Sequence, residues 1–193
     1  MAIKVAQPNG ETWTYEALCL ARPEDLEDVM RCGATPDLSR LSGWEFRGFN
    51  TVELLQLAGI RKFKKGFYRA DPSRPHQEGI QGYNVNVVQG TLGEPWRDAT
   101  KNGQPVRIGW YEAHQVDLAD SDNKYPNAVL INYGASPKNI KLDPSRLLRD
   151  YLVQVYPDNP DLYLGKAFLT LGPLRVFASY FVLERHNPSE LGA

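Results

Sequence analysis

The hydrophobic period of this chain changes at Leu41. Beyond it, apolar and polar residues alternate two by two in seven or eight short segments, at about 44–49, 62–70, 83–89, 106–117, 128–133, 149–156, 162–169 and 174–185. Clusters such as Pro157-Asp158-Asn159-Pro160-Asp161 separate them, and such clusters turn a chain sharply. Strands joined this way, mostly without intervening helices, predict an antiparallel sheet closed into a barrel or folded as a sandwich. The chain is therefore read as mainly β, an up-and-down antiparallel barrel of about eight strands, the number whose interior holds one small ligand.

Helical signals lie before and between these segments. Pro23, with Glu24 and Asp25 behind it, suits a helix start, where a missing N–H costs nothing and the dipole favours acids. Leu26, Val29 and Met30 share one face, and Gly33 supplies the stop. Residues 1–40 are expected as a helical appendage to a barrel over 41–186, within a single domain 1–193, with a tail over 187–193 that frays. A lid helix is expected near 51–58, with Asn50 as its cap, Glu53 as capping-box partner and Gly59 at its end. Asp143-Pro144 opens a helical turn leading into the sixth strand.

Composition excludes several classes. With 22 Lys+Arg against 23 Asp+Glu, the chain lacks the basic excess of a nucleic-acid binder. Its 4 Trp, 10 Tyr and 7 Phe are too many for a disordered chain. No apolar run approaches the roughly 20 residues that span a bilayer, and no signal peptide opens the chain, so a cytoplasmic location is expected. Cys19 and Cys32 make no disulfide framework. No metal or cofactor is expected: the three His are scattered, Cys-x-x-Cys spacing is absent, and no phosphate-binding glycine loop occurs. Gly134-Ala135-Ser136 fails as a nucleophile elbow, because Pro137 has no N–H for an oxyanion and Lys138 replaces the last Gly.

Leu41-Ser42-Gly43-Trp44-Glu45-Phe46-Arg47-Gly48, opening the first strand after a short helix, resembles the Gly-x-Trp start of lipocalin-like (calycin) barrels. It is also similar to bacterial small barrel proteins named for a Gly-x-Trp-x-Gly signature, although here Gly43 directly precedes Trp44. Asn132-Tyr133-Gly134, Leu164-Gly165-Lys166 and Phe181-Val182-Leu183-Glu184-Arg185 are similar to the strands that close such barrels. The resemblance implies a barrel-closing pair, Trp44 beneath Arg185, held by cation–π stacking.

The fourth segment carries the chemistry of greatest interest. Glu112 and His114 lie two apart, on the face that also carries Ile108, Trp110 and Val116. If that face points inward, a carboxylate and an imidazole meet in an apolar cavity, where they could hold a polar head group or act as base and acid. Tyr83, Val87, Ile108, Trp110, Tyr151, Phe168 and Tyr180 are the expected walls of the site. The plainer alternative makes Glu112 and His114 solvated rim residues. Arg61, Lys62, Lys64 and Lys65 form a basic run among aromatics, read as a solvated strand face or as a transient contact with an anionic membrane.

The leading reading is binding of a small hydrophobic or amphipathic molecule inside the barrel; the alternatives are a cofactor-free isomerase or cyclase using Glu112 and His114, and an interaction protein with a filled core. Fold alone does not choose among them, and neither ligand nor oligomeric state is legible.

Overall fold

The computed structural model describes residues 6–52, 59–69, 79–120 and 123–191. Eight antiparallel strands close a barrel: β1 (Trp44–Asn50), β2 (Lys62–Tyr68), β3 (Gly79–Asn86), β6 (Arg107–Gln115), β7 (Val129–Asn132), β8 (Leu148–Tyr156), β9 (Asn159–Leu171) and β10 (Leu174–Pro188). Each pairs with its chain neighbour, and β10 returns to β1, pairing Gly48 with Leu183. Closure satisfies both edges, which an open sheet would leave unpaired. The short β4 (Thr100–Lys101) and β5 (Gln104–Pro105) form a separate hairpin between β3 and β6. The expected lid helix falls largely on residues outside those described. Among the described residues, no helix is long and apolar enough to cross a membrane.

Helices α1 (Tyr15–Cys19), α2 (Pro23–Cys32) and α3 (Leu38–Leu41) precede the barrel. The first two are more than an appendage. Their apolar faces, including Tyr15, Leu18, Leu26, Val29 and Met30, are buried with Val153, Val155, Leu162, Leu164 and Val182 from the outer surfaces of β8, β9 and β10. A wall clad in this way is covered on both sides, so β8 is buried at six consecutive positions, 150–155. Pro144–Leu147 forms the helical turn before β8, capped by Asp143.

Of the tail over 187–193, where fraying is expected, residues 187–191 are described and are docked. Ser189 is buried, its N–H donating to the Gly43 carbonyl at 2.9 Å and its hydroxyl 2.8 Å from that of Tyr83. Glu190 then pairs with Arg107.

One end of the barrel is plugged by aromatic rings. Phe46 meets Phe67 and Tyr163 edge-on at 5.7 and 5.4 Å, and Phe67 meets Tyr111 at 5.6 Å. The Phe181 ring lies so close over Gly165 that a Cβ there would stand 2.0 Å from it. Arg185 lies 4.5 Å over the Trp44 ring and donates to Asp161 at 2.5 Å and to the Arg40 carbonyl at 3.0 Å. The stacking tightens the plugged end.

Candidate functional site

The interior is not filled throughout. Above the plug lies a cavity of about 620 Å3, opening at the other end of the barrel. Phe63, Leu148, Ala167, Leu169, Ala178 and Phe181 line its apolar walls. Ile60, Ile108, Leu147, Leu171 and Leu174, all at strand ends or loops near the opening, are exposed apolar side chains.

Lys65, Asp150 and Asn84, three of the polar residues lining the cavity, meet around the Tyr133 hydroxyl at its floor. β2 carries Phe63, Lys65 and Phe67 on its inner face, because side chains alternate along a strand. Lys65 is therefore set among rings, with Nζ 4.5 Å from the centre of Tyr111, 5.0 Å from Tyr133 and 5.4 Å from Phe181. Its ammonium donates to the Tyr133 hydroxyl at 2.6 Å and stands 3.5 Å from Oδ2 of Asp150. Tyr133 donates to the same Oδ2 at 2.9 Å and accepts from Nδ2 of Asn84 at 3.3 Å. The hydroxyl thus has its donors and its acceptor fixed, and Asn84 presents Oδ1 elsewhere.

Three buried polar atoms of the lining have no hydrogen-bond partner among the described residues. They are Oδ1 of Asp150 and Oδ1 of Asn84, both acceptors beside Lys65 and Tyr133, and the hydroxyl of Ser145. Burial shifts the pair toward neutrality. It pulls the Lys65 amine down to about 8, against the attraction of Asp150. It raises the Asp150 carboxyl above its ordinary range, against Lys65 and the Tyr133 hydrogen bond.

The side chains expected to hold a ligand lie elsewhere, apart from Ile108, which lines the cavity. Trp110, Glu112 and His114 point outward from β6. Trp110 packs against Tyr68 and Tyr83 on the outer wall, while Tyr111 and Ala113 belong to the inner core. A bulge causes the inversion. Gly82 faces Tyr111 and Asn84 faces Ile108, so two steps on β3 oppose three on β6. Gly109, at φ +52°, absorbs the extra residue in a conformation glycine adopts easily. Ile108 and Trp110 therefore lie on opposite faces despite their spacing. Without Glu112 and His114 in the cavity, their expected role as its acid and base loses its geometry; His114 is 2.8 Å from the Gln115 carbonyl through Nδ1.

Tyr83 is held outside by Glu45, to which it donates at 2.9 Å. Tyr151, Phe168 and Tyr180 belong with Val87 to the buried layer between barrel and helices. They are walls, but of the helix interface. The basic run is also dispersed. Lys62 is buried with its ammonium donating to the Thr91 and Glu94 carbonyls, Lys64 is buried against Glu45 and Asp98, and Lys65 lies in the cavity floor. Three of the four cations are thus unavailable to a membrane surface, and Arg61 stacks over Phe49 at 4.9 Å.

Lys65 and Asp150 were missed as site residues. Their signal lay in parity: Lys65 shares its face with Phe63 and Phe67, and Asp150 with Leu148 and Leu152. A charged residue alternating with large apolar ones is a candidate buried charge, and buried charges need partners. Among the described residues, no group of three or more His, Cys, Asp or Glu is arranged to hold a metal ion. No family model matches this chain, and no curated protein matches it in sequence.

Proposed function

We propose that the barrel binds a small, mainly apolar molecule carrying one polar end, with its body against Phe63, Leu148, Leu169 and Phe181 and its polar end at Lys65, Asp150 and Asn84. One observation carries this reading: an apolar cavity of about 620 Å3 converges on a few buried polar groups, two of them unpartnered. That combination is the usual composition of a small-molecule site. The lipocalin-like assignment suggested by Leu41–Gly48 fits such a use, and the free thiols of Cys19 and Cys32 fit a reducing, cytoplasmic setting.

Titration with Nile red, a neutral apolar dye, tests the reading, together with native mass spectrometry for a retained small molecule. Saturable dye uptake that Ala167→Phe weakens by about tenfold or more is expected, because that side chain would grow into the cavity. No uptake by the intact protein would overturn it.

A second reading, a cofactor-free isomerase or cyclase, is favoured by the floor alone. A lysine drawn to about 8 beside a carboxylic acid drawn upward is an acid–base pair nearer neutrality than either group in water. Lys65 and Asp150 replace Glu112 and His114 in that mechanism, passing a proton between two positions of a bound substrate. Asp150→Asn separates the readings: turnover would fall by orders of magnitude, whereas a binder would lose only affinity.

A further inference from the structure

We infer that the ligand's polar end is a neutral hydroxyl group, phenolic or alcoholic, donating its hydrogen to Oδ1 of Asp150 or of Asn84, and that carboxylates are excluded. This deepens the binding reading above and rests on it.

At the floor the two unpartnered acceptors fix the sign of the missing partner. A carboxylate oxygen and an amide oxygen accept hydrogen bonds and cannot donate them. Asn84 has no freedom to turn its amide round. Its Nδ2 faces the Gly109 carbonyl at 3.4 Å and the Tyr133 hydroxyl at 3.3 Å, whose proton already goes to Asp150. Turned round, Oδ1 would meet a carbonyl oxygen and an oxygen without a proton to give. The incoming group must therefore donate.

Charge decides the rest. Lys65 and Asp150 balance each other, and the ammonium is already engaged by Tyr133, Asp150 and the ring faces around it. A carboxylate entering the floor would set its oxygens against Oδ1 of Asp150 and of Asn84, where the described residues place no cation besides the engaged Lys65. Burying such an uncompensated anion is costly. An ammonium would meet Lys65 with a like charge. A hydroxyl satisfies an orphaned acceptor and leaves the balance intact. Leaving a buried acceptor empty is penalised, so a site built this way rejects the analogue that lacks the donor.

Four compounds of one shape test this by calorimetric titration of the intact protein: 2-naphthol, 2-methoxynaphthalene, 2-naphthoate and 2-naphthylmethylammonium. Naphthol is expected to bind about tenfold or more tighter than each of the others. Asp150→Asn should reduce its advantage over the methyl ether. Should that variant fail to fold, Asn84→Ala, at a half-buried position, is expected to do so more weakly. Equal or tighter binding of the ether, the carboxylate or the ammonium overturns the head-group assignment while leaving the cavity as a binding site. Absence of binding by all four and by Nile red overturns both.

Discussion

Two lysines of this barrel sit among aromatic rings beside a carboxylate, one inside the wall and one outside. Lys166, on the outer face of β9, lies 5.0 to 5.5 Å from the rings of Tyr125, Phe168, Phe177 and Tyr180 and donates to Glu27 of α2 at 2.7 Å. Lys65 has a similar ring cage inside, with Asp150 as its carboxylate. The carboxylates differ. Glu27 receives Tyr125, Tyr180, Arg31 and Lys166; burial pushes its carboxyl up, but the hydrogen bonds from Lys166, Tyr180 and Tyr125 outweigh that and hold it below the usual range. Asp150 has one oxygen satisfied and one orphaned, and burial wins. The outer cluster is complete without a ligand and fastens α2 to the barrel. The inner cluster has the same parts, with one carboxylate oxygen unpartnered among the described residues.

Removing each lysine is the strongest way to break this comparison. Lys65→Met strands a carboxylate in the floor and is expected to cost about 3–5 kcal/mol in urea unfolding. Lys65→Met with Asp150→Asn should recover most of that loss, because no buried charge remains. Lys166→Met leaves Glu27 with three donors and is expected to cost less, about 1–2 kcal/mol. Equal costs for the two single variants would mean that the clusters are energetically alike.

A further variant tests where the open position lies. Ala167→Phe projects into the cavity and should weaken Nile red binding by about tenfold or more while the unfolding midpoint hardly moves. Glu27→Gln on the outside should leave dye binding unchanged. Loss of binding from the outer variant would couple the two clusters through the wall they share.

The same contrast explains what the sequence made legible. The barrel was readable because period-two alternation and turn chemistry are local. Inside and outside were not. On β6 both faces carry aromatics, Trp110 on one and Tyr111 on the other, because helices, loops and the docked C-terminal residues cover much of the outer wall. Alternation then marks two faces without saying which is the core, and the bulge at Gly109 reverses the phase within the strand. On β8 the outward Tyr151 is buried like its inward neighbours, since α2 lies over that part of the wall. The Trp44–Arg185 contact followed from a resemblance in sequence. Lys65–Asp150 joins β2 to β8 across the barrel, a separation that no local pattern spans.

The smallest expected effect is on pH dependence, and it isolates the inner lysine. In the unfolded chain Lys65 titrates near 10.5, and in the folded protein burial brings it to about 8. Between these values the unfolded state holds a proton that the folded state has released, so unfolding free energy rises with pH. Below about pH 8 the full cost of burying the ammonium is present. Asp150 acts in the opposite sense at acid pH: its folded carboxyl is raised, so its contribution falls as pH rises through that window. Burial also raises the Tyr111 and Tyr133 hydroxyls, which lowers stability above the ordinary tyrosine value of 10. Chemical unfolding from pH 7 to about 10, with the Lys65→Met/Asp150→Asn protein as reference, cancels most of the tyrosine contribution. The wild type should gain stability relative to that reference as pH rises. A flat or falling difference would show that the floor holds its ammonium at no cost, and the inner cluster would then be as complete as the outer one.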